Sequence, residues 1–369
     1  MAPAAGRAER PLGPAGSNQI TYASLYDAIL DGKPYPIRGF LGVGANPLLA
    51  HVGGLRGREA LASLAFYAHA DLFMNPTAAL ADIVLPVASS FERDALRIGF
   101  EISTEAQSHV QFRRALVPPP GRARSDTAII FDLACRLGLG THFWDGDIGA
   151  AYRHQLAPSG VTLEAPRDAL GGLSVPLATR HRKHTETDAN GVARGFATPT
   201  RKVELYSETL LDHGYKPLPE FVEPAFGPMA RPDLAARFPL ILTSAKSTLF
   251  CNSHDRGLPS LRRRAPYPEV EMHPDAAQAR GIAAGAWVAI ESPEGRVRAR
   301  ARLNASLDPR VVCGPHGWWQ ACEALGLPGY DPFGPEGASY NLLIGTDAVD
   351  PVSGTASLRA QMCEIQPAG

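Results

Sequence analysis

The chain has 369 residues, 45% of them hydrophobic, with 36 Lys plus Arg against 37 Asp plus Glu and a formal net charge of -1. That length allows two or three domains with cores of ordinary size. The charge balance excludes a general electrostatic pull toward nucleic acid or an acidic membrane surface, so any partner must be recognised by local sites.

The N-terminal stretch, MAPAAGRAERPLGPAGSNQ, lacks the continuous apolar core of a secretion signal, and residues 1–17 read as a flexible lead. No later run is apolar for long enough to span a bilayer, so no membrane insertion is expected. From Ile37 to Gly140 short apolar strands alternate with helical stretches, the pattern of a parallel sheet with helices on its faces. The first strand, Ile37 to Gly44, empties into the turn Ala45-Asn46-Pro47, with a helix around Gly57 to Leu64. A second strand runs from Leu64 to Ala70 and ends at Asp71; a third is Asp82 to Leu85, stopped by Pro86 and followed by Glu92 and Asp94. Ser125 can cap a helix that ends at Gly138, with Ile129, Ile130, Leu133 and Leu137 on one face. The α/β part is placed at residues 18–145.

Residues 146–237 are rich in Gly and Pro and read as a connecting segment. Within it, Phe196 to Leu210 carries the alternation of a strand at Val203 and Leu205. His181 and His184 have loop spacing and no carboxylate or cysteine partner of metal-site character, so no metal site is assigned there. From residue 238 to 369 short strands alternate with turns, including a hairpin at Pro293-Glu294-Gly295, and an all-β unit closed as a barrel is expected. Arg296, Arg298, Arg300 and Arg302 share one strand face; a nucleic-acid stripe is one reading, and with the charge near zero the solvated face of a barrel is preferred.

Three loops could carry chemistry. Glycines 42 and 44 at the carboxyl end of a strand allow close approach of a ligand, and Asp71 closes the next strand, where a carboxylate can accept from ribose hydroxyls or a purine edge. The alternative is a plain tight turn and a strand-end Asp. The loop Thr243 to Arg256 packs hydroxyls, Lys246, His254 and Arg256 after a strand; it can hold a phosphate-bearing ligand or be a solvated polar loop. Gly314 to Trp319 ends in adjacent tryptophans, which fit core packing and can also roof a planar ligand. The five cysteines, Cys135, Cys251, Cys313, Cys322 and Cys363, are far apart with no C-x-x-C pair, which points to a reduced, cytoplasmic location. No nucleophile–base pair is evident, so no catalytic residue is assigned.

Together these pieces resemble the C-terminal half of the molybdopterin oxidoreductases. The carriers are Gly44-Ala45-Asn46-Pro47, Asp71, Thr77 to Pro86 with Glu92 and Asp94, the segment FATPTRKVELYSETL, the loop LTSAKSTLFCNSHDR, the stretch VEMHPDAAQARGIAAGAWVAIESPEGRV, GWW, and SYNLLIGTDAVDPVSG. The resemblance covers Ile37 to the C-terminus. It implies a Rossmann-like α/β domain followed by a C-terminal double-psi β-barrel that binds a molybdopterin guanine dinucleotide carrying molybdenum or tungsten. By the same resemblance the cofactor contacts are Gly44, Asn46, Pro47, Asp71, Thr77, Thr243, Lys246, His254, Arg256, Trp318 and Asn341. Arg201 replaces the family's usual Gly, and Ser339-Tyr340-Asn341 departs from its double-Asn pattern. The family's iron–sulfur cluster and metal ligand are not seen in this chain. The resemblance therefore implies partners: a separate N-terminal iron–sulfur and molybdopterin subunit and an electron-transfer subunit, without which the chain would not turn over. The competing expectation is a non-catalytic cofactor-binding or protein-interaction module.

Overall fold

A computed structural model describes residues 2–17, 19–99 and 103–368. By its internal contacts the chain divides into two units. One holds the chain through His69, Met74–Ile83 and everything from Thr209 onward; the other holds Ala70–Phe73 and Val84–Glu208.

The first sheet has the order β1 (Gly39–Val43), β2 (Phe66–Asp71), β3 (Ile83–Pro86). Its strands run parallel, as the alternation of strands and helices requires. Asp82 closes one end of the ladder: its Oδ2 accepts from the Tyr67 amide at 2.7 Å. Thus the Ala81-Asp82 entry to β3 has a local structural use. Helices Pro47–Ala50 and Gly54–Ala62 cover one face, where Leu48 and Leu61 pack on Tyr67. A helix at Tyr22–Leu30, capped by the Thr21 hydroxyl, adds Leu25 and Tyr26 against Ala60. Near the N-terminus Ala5 and Ala15 are buried, and the Arg10 side chain lies against Gly354.

The second unit contains an antiparallel sheet of β4 (Ala95–Arg97), β5 (His109–Arg113) and β6 (Leu173–Ser174). Helix Asp126–Arg136 begins where the sequence places it, with the Ser125 hydroxyl accepting from the Ala128 amide. The segment read as connecting structure is more ordered than expected: helix Ile148–Leu156 brings Leu156 into a cluster with Val110, Phe112 and Leu163. Glu92 accepts from the Ser89 amide within a turn, and Asp94 accepts from the Ala115 amide across the end of the β4–β5 pair. The strand expected at Val203 and Leu205 does not form; that stretch is irregular and both side chains are exposed.

The C-terminal part of the first unit is a closed barrel. Its strands are β7 (Leu240–Ser244), β8 (Glu269–Met272), β9 (Trp287–Glu291), β10 (Arg296–Leu303), β11 (Val311–Gly314) and β12 (Gln361–Pro367), in the order β10-β8-β11-β7-β12-β9. β10 pairs β8 and β11 pairs β7 in parallel, and the other pairings are antiparallel. Closure removes the exposed edges a sheet of this size would carry. Leu242, Val270, Met272, Ile290, Val297 and Ile365 fill the interior with almost no exposure. The β9–β10 hairpin turns through Ser292 to Gly295 as the sequence predicts. No helix among the described residues is long and apolar enough to cross a membrane.

Candidate functional site

The site is built in the first unit where the loop after β1 meets the loop after β7. Gly44, the residue after β1, stands at φ +56 with open space on the side a Cβ would occupy, which leaves this backbone accessible. Gly44 and Ala45 are exposed, Asn46 is half-buried, and Pro47 starts a one-turn helix. Asn46 makes no capping bond to that helix. Its Oδ1 instead accepts from the Thr77 hydroxyl at 2.7 Å, and its Nδ2 reaches the Ser253 hydroxyl oxygen in a long contact of 3.4 Å. The segment from residue 44 to 47 and the polar barrel loop, far apart in sequence, are therefore adjacent.

Around Ser253 the loop is held in an unusual backbone. Asn252 and Asp255 both adopt positive φ, at 48° and 68°, a conformation that costs of order 1–3 kcal/mol per non-glycine residue unless its surroundings enforce it. The enforcement comes from residues 316–320. Trp319 Nε1 donates to the Ser253 carbonyl at 2.8 Å, and Gln320 Oε1 accepts from the Gly257 amide at 2.9 Å. Gly317, at φ +75, lies so close that a Cβ would collide with the Asn252 carbonyl oxygen. Lys246 stays exposed, its Nζ 3.5 Å from Asn252 Oδ1, and His254 is exposed as well. Thr243, half-buried, pairs in register with Cys313 on β11.

Arg256 is only 2% exposed. Its Nη1 and Nη2 donate to the carbonyls of His254 and His316 at 3.0 and 2.6 Å, and the buried Nε has no partner. The guanidinium carbon lies 4.6 Å from the centre of the Phe250 ring and 5.3 Å from that of Trp318. Arg262, fully buried, lies over the same Trp318 ring at 4.8 Å and donates to four backbone carbonyls, with the Tyr330 hydroxyl also beside it. Neither guanidinium hydrogen-bonds a carboxylate among the described residues. Burial and then the Arg262 charge pull Arg256 down to about 10, so it remains a cation at neutral pH. Burial, Arg256 and Lys246 together push His316 below its ordinary value. This corner of the barrel thus gathers Arg256, Arg262 and Lys246, offset in part by the Asp255 carboxylate, and the excess of positive charge suits an anion.

The expected site residues fall into distinct groups. Gly44, Lys246 and His254 are exposed around the junction, whereas Pro47, Thr77, Arg256, Trp318 and Asn341 are buried. Asn341 Nδ2 donates to the carbonyls of Leu49 and His51 at 2.8 and 3.0 Å. Asp71 is the last residue of β2 and falls in the second unit, where its Oδ1 accepts from the Phe73 amide. Sequence reasoning missed Asn75, Ser253, Arg262 and His316. Asn75 heads the NPTAALADIVLP stretch, and its Oδ1 accepts from the amides of Thr77 and Ala78. Arg262 is hidden in Arg262-Arg263-Arg264, where nothing local marks the buried member. Among the described residues no group of three or more His, Cys, Asp or Glu side chains is placed to hold a metal ion.

Residues 33–136 match the family described as Molybdopterin oxidoreductase, and residues 240–362 the family described as Molydopterin dinucleotide binding domain. An acetylene hydratase of Syntrophotalea acetylenica is 30% identical over 82% of this chain and 40% of its own length. A dopamine dehydroxylase of Eggerthella lenta is 28% identical over 94% of this chain and 39% of its own. Among solved structures, acetylene hydratase from Pelobacter acetylenicus superimposes with a TM-score of 0.79 at 26% identity, covering 94% of this chain and 46% of that one. The chain therefore spans about 40% of the length of these curated relatives. With both domains matched in order and the solved acetylene hydratase sharing its fold, the chain belongs to the molybdopterin oxidoreductase family.

Proposed function

We propose that this chain supplies a binding surface for a molybdopterin dinucleotide in a molybdopterin-dependent oxidoreductase of the cytoplasm. The observation that carries the reading is the junction of the Gly44–Pro47 loop with the barrel loop through Asn46 and Ser253, beside two buried guanidiniums that hydrogen-bond no carboxylate among the described residues. The chemistry of these donors fits the group: a pterin dinucleotide is an elongated anion with a pyrophosphate and planar ends. Lys246 and the exposed face of His254 would meet the charged part. Arg256, held beside the Phe250 and Trp318 rings, would add its field without leaving its carbonyl partners. The exposed Gly44-Ala45 backbone would lie against the ligand. Two parallel pairings inside a six-stranded closed barrel support the double-psi assignment.

When bound, the molybdenum or tungsten centre of such a cofactor supplies the electron or oxygen-atom transfer. This chain's residues bind and orient it, and the proposal places the metal ligand, any iron–sulfur cluster and the electron-transfer partner in polypeptide outside these 369 residues. The isolated chain is then without turnover. To test this, the chain is produced alone and together with such a polypeptide, and molybdenum, tungsten and pterin are measured in each preparation. Pterin near one dinucleotide or more per complex, with metal absent from the isolated chain, is the expected result. Metal held by the chain alone contradicts the division of labour, and no pterin in either preparation favours an interaction module.

A further inference from the structure

Side chains from two separate places, residues 75–77 and Asn341 of the barrel part, hold polar groups of residues 45–51. Asn75 Nδ2 donates to the Ala45 carbonyl at 3.3 Å. The Thr77 hydroxyl oxygen accepts from the Leu48 amide at 3.1 Å while its proton goes to Asn46 Oδ1 at 2.7 Å. From the barrel, Asn341 caps the other end by donating to the carbonyls of Leu49 and His51. Thr77 is fully buried and Asn341 is 6% exposed. A hydroxyl that both donates and accepts at fixed partners fixes the Asn46 rotamer, and an amide that spends its NH₂ group on two carbonyls fixes the turn behind it. What this arrangement leaves outward is the backbone of Gly44 and Ala45.

We infer that Thr77 and Asn341 are positioning residues that clamp the 45–51 segment from the sheet side and the barrel side, and so present the Gly44-Ala45 backbone to the ligand without touching it themselves. The inference rests on the cofactor-binding reading and changes the role of two residues that the family resemblance places in direct contact. Their polar atoms are directed into the protein, so their influence on binding passes through the loop.

The test uses the full chain co-produced with the loading polypeptide described above. Thr77→Val removes the hydroxyl at nearly constant volume, and Thr77→Ser keeps it. Two quantities are read: amide hydrogen exchange across residues 44–52, and pterin retained per chain by fluorescence of the oxidised extract. Thr77→Val is expected to speed exchange at the Leu48 amide at least tenfold and to lower retained pterin several-fold, with exchange in the barrel strands unchanged. Thr77→Ser is expected to restore both. Should Thr77→Val not fold, Asn341→Asp, which keeps the shape and loses the donors, is expected to speed exchange over residues 48–52 and lower pterin in the same way. Faster exchange with undiminished pterin overturns the inference, as does a pterin loss that occurs without any change in exchange, because that marks direct contact. If the parent complex retains no pterin, the cofactor reading fails and the ligand half of this inference falls with it, while the exchange data still decide whether the clamp exists.

Discussion

At the scale of single residues, Arg262 and His316 show how the barrel corner is paid for in structure rather than in ion pairs. Arg262 satisfies four carbonyls, those of Arg256, Pro266, Gln320 and Pro328, at 2.8 to 3.1 Å. Removing a partner from a buried polar network leaves acceptors unsatisfied at about 1–3 kcal/mol each. Arg262→Met is therefore expected to destabilise the chain by about 3 kcal/mol or more in urea unfolding. Arg262→Lys should fall nearly as far, since an ammonium point charge cannot span a planar fork of acceptors; a Lys variant within about 0.5 kcal/mol of the parent would show that charge alone matters. His316 gives a pH signature. Its folded value lies below the ordinary 6.5 because burial, Arg256 and Lys246 all disfavour the imidazolium. The unfolded chain then binds the proton more readily, so stability is fullest above about pH 6.5, declines as pH falls through it, and levels off below the folded value. Proton NMR titration is expected to show His316 in Lys246→Met titrating higher than in the parent; an unmoved titration would remove Lys246 from its surroundings.

Among the elements, the loop pair 252–257 and 314–320 is the part most dependent on one glycine. Gly317 needs both its positive φ and its missing side chain, whereas Gly44 needs only the first, having open space around it. Gly44→Ala is expected to cost about 1 kcal/mol, the usual penalty of a left-handed residue with a Cβ, and Gly317→Ala clearly more, because the Asn252 carbonyl must also move. Thermal melts of the two variants check the order; equal costs would mean that the approach of the two loops relaxes freely. The regular elements are largely legible in the sequence. The helix at 126–136 announces itself by Ser125, and the β9–β10 hairpin by its turn and by alternation that needs only local sequence. Val203 and Leu205 alternate equally well, yet no strand forms, because alternation states a preference and a ladder also needs a neighbouring strand with free backbone groups. The loops that meet at Asn46 and Ser253 were legible one by one, as polar loops at strand ends. The burial of Arg256 was not, since it is decided by Phe250 and by Trp318 from another strand's end, and no local pattern encodes that meeting.

For the whole molecule, charge is the property that the sequence bounds and the fold then distributes. A net charge of -1 leaves no global field, but the four arginines of β10 could still form a local stripe on the barrel's outer face. Three of them meet carboxylates: Arg296 with Glu291, Arg298 with Glu336, and Arg302 with Glu271. Arg300 lies over the Tyr267 ring at 3.8 Å. Binding phosphates would therefore require breaking pairs already made, and exposed pairs broken for a polyanion return only the small difference between two screened contacts. Nucleic acid is accordingly expected to bind more weakly than about 100 µM at physiological salt, the loose end of non-specific affinity, with a shallow salt dependence. Fluorescence anisotropy with a short labelled duplex across a salt series reads both quantities. Micromolar binding with a steep salt slope, abolished by Arg298→Glu together with Arg300→Glu, would show that the stripe acts as a basic surface in spite of its carboxylates. Weak binding that those substitutions leave unchanged is what a neutralised, solvated barrel face gives.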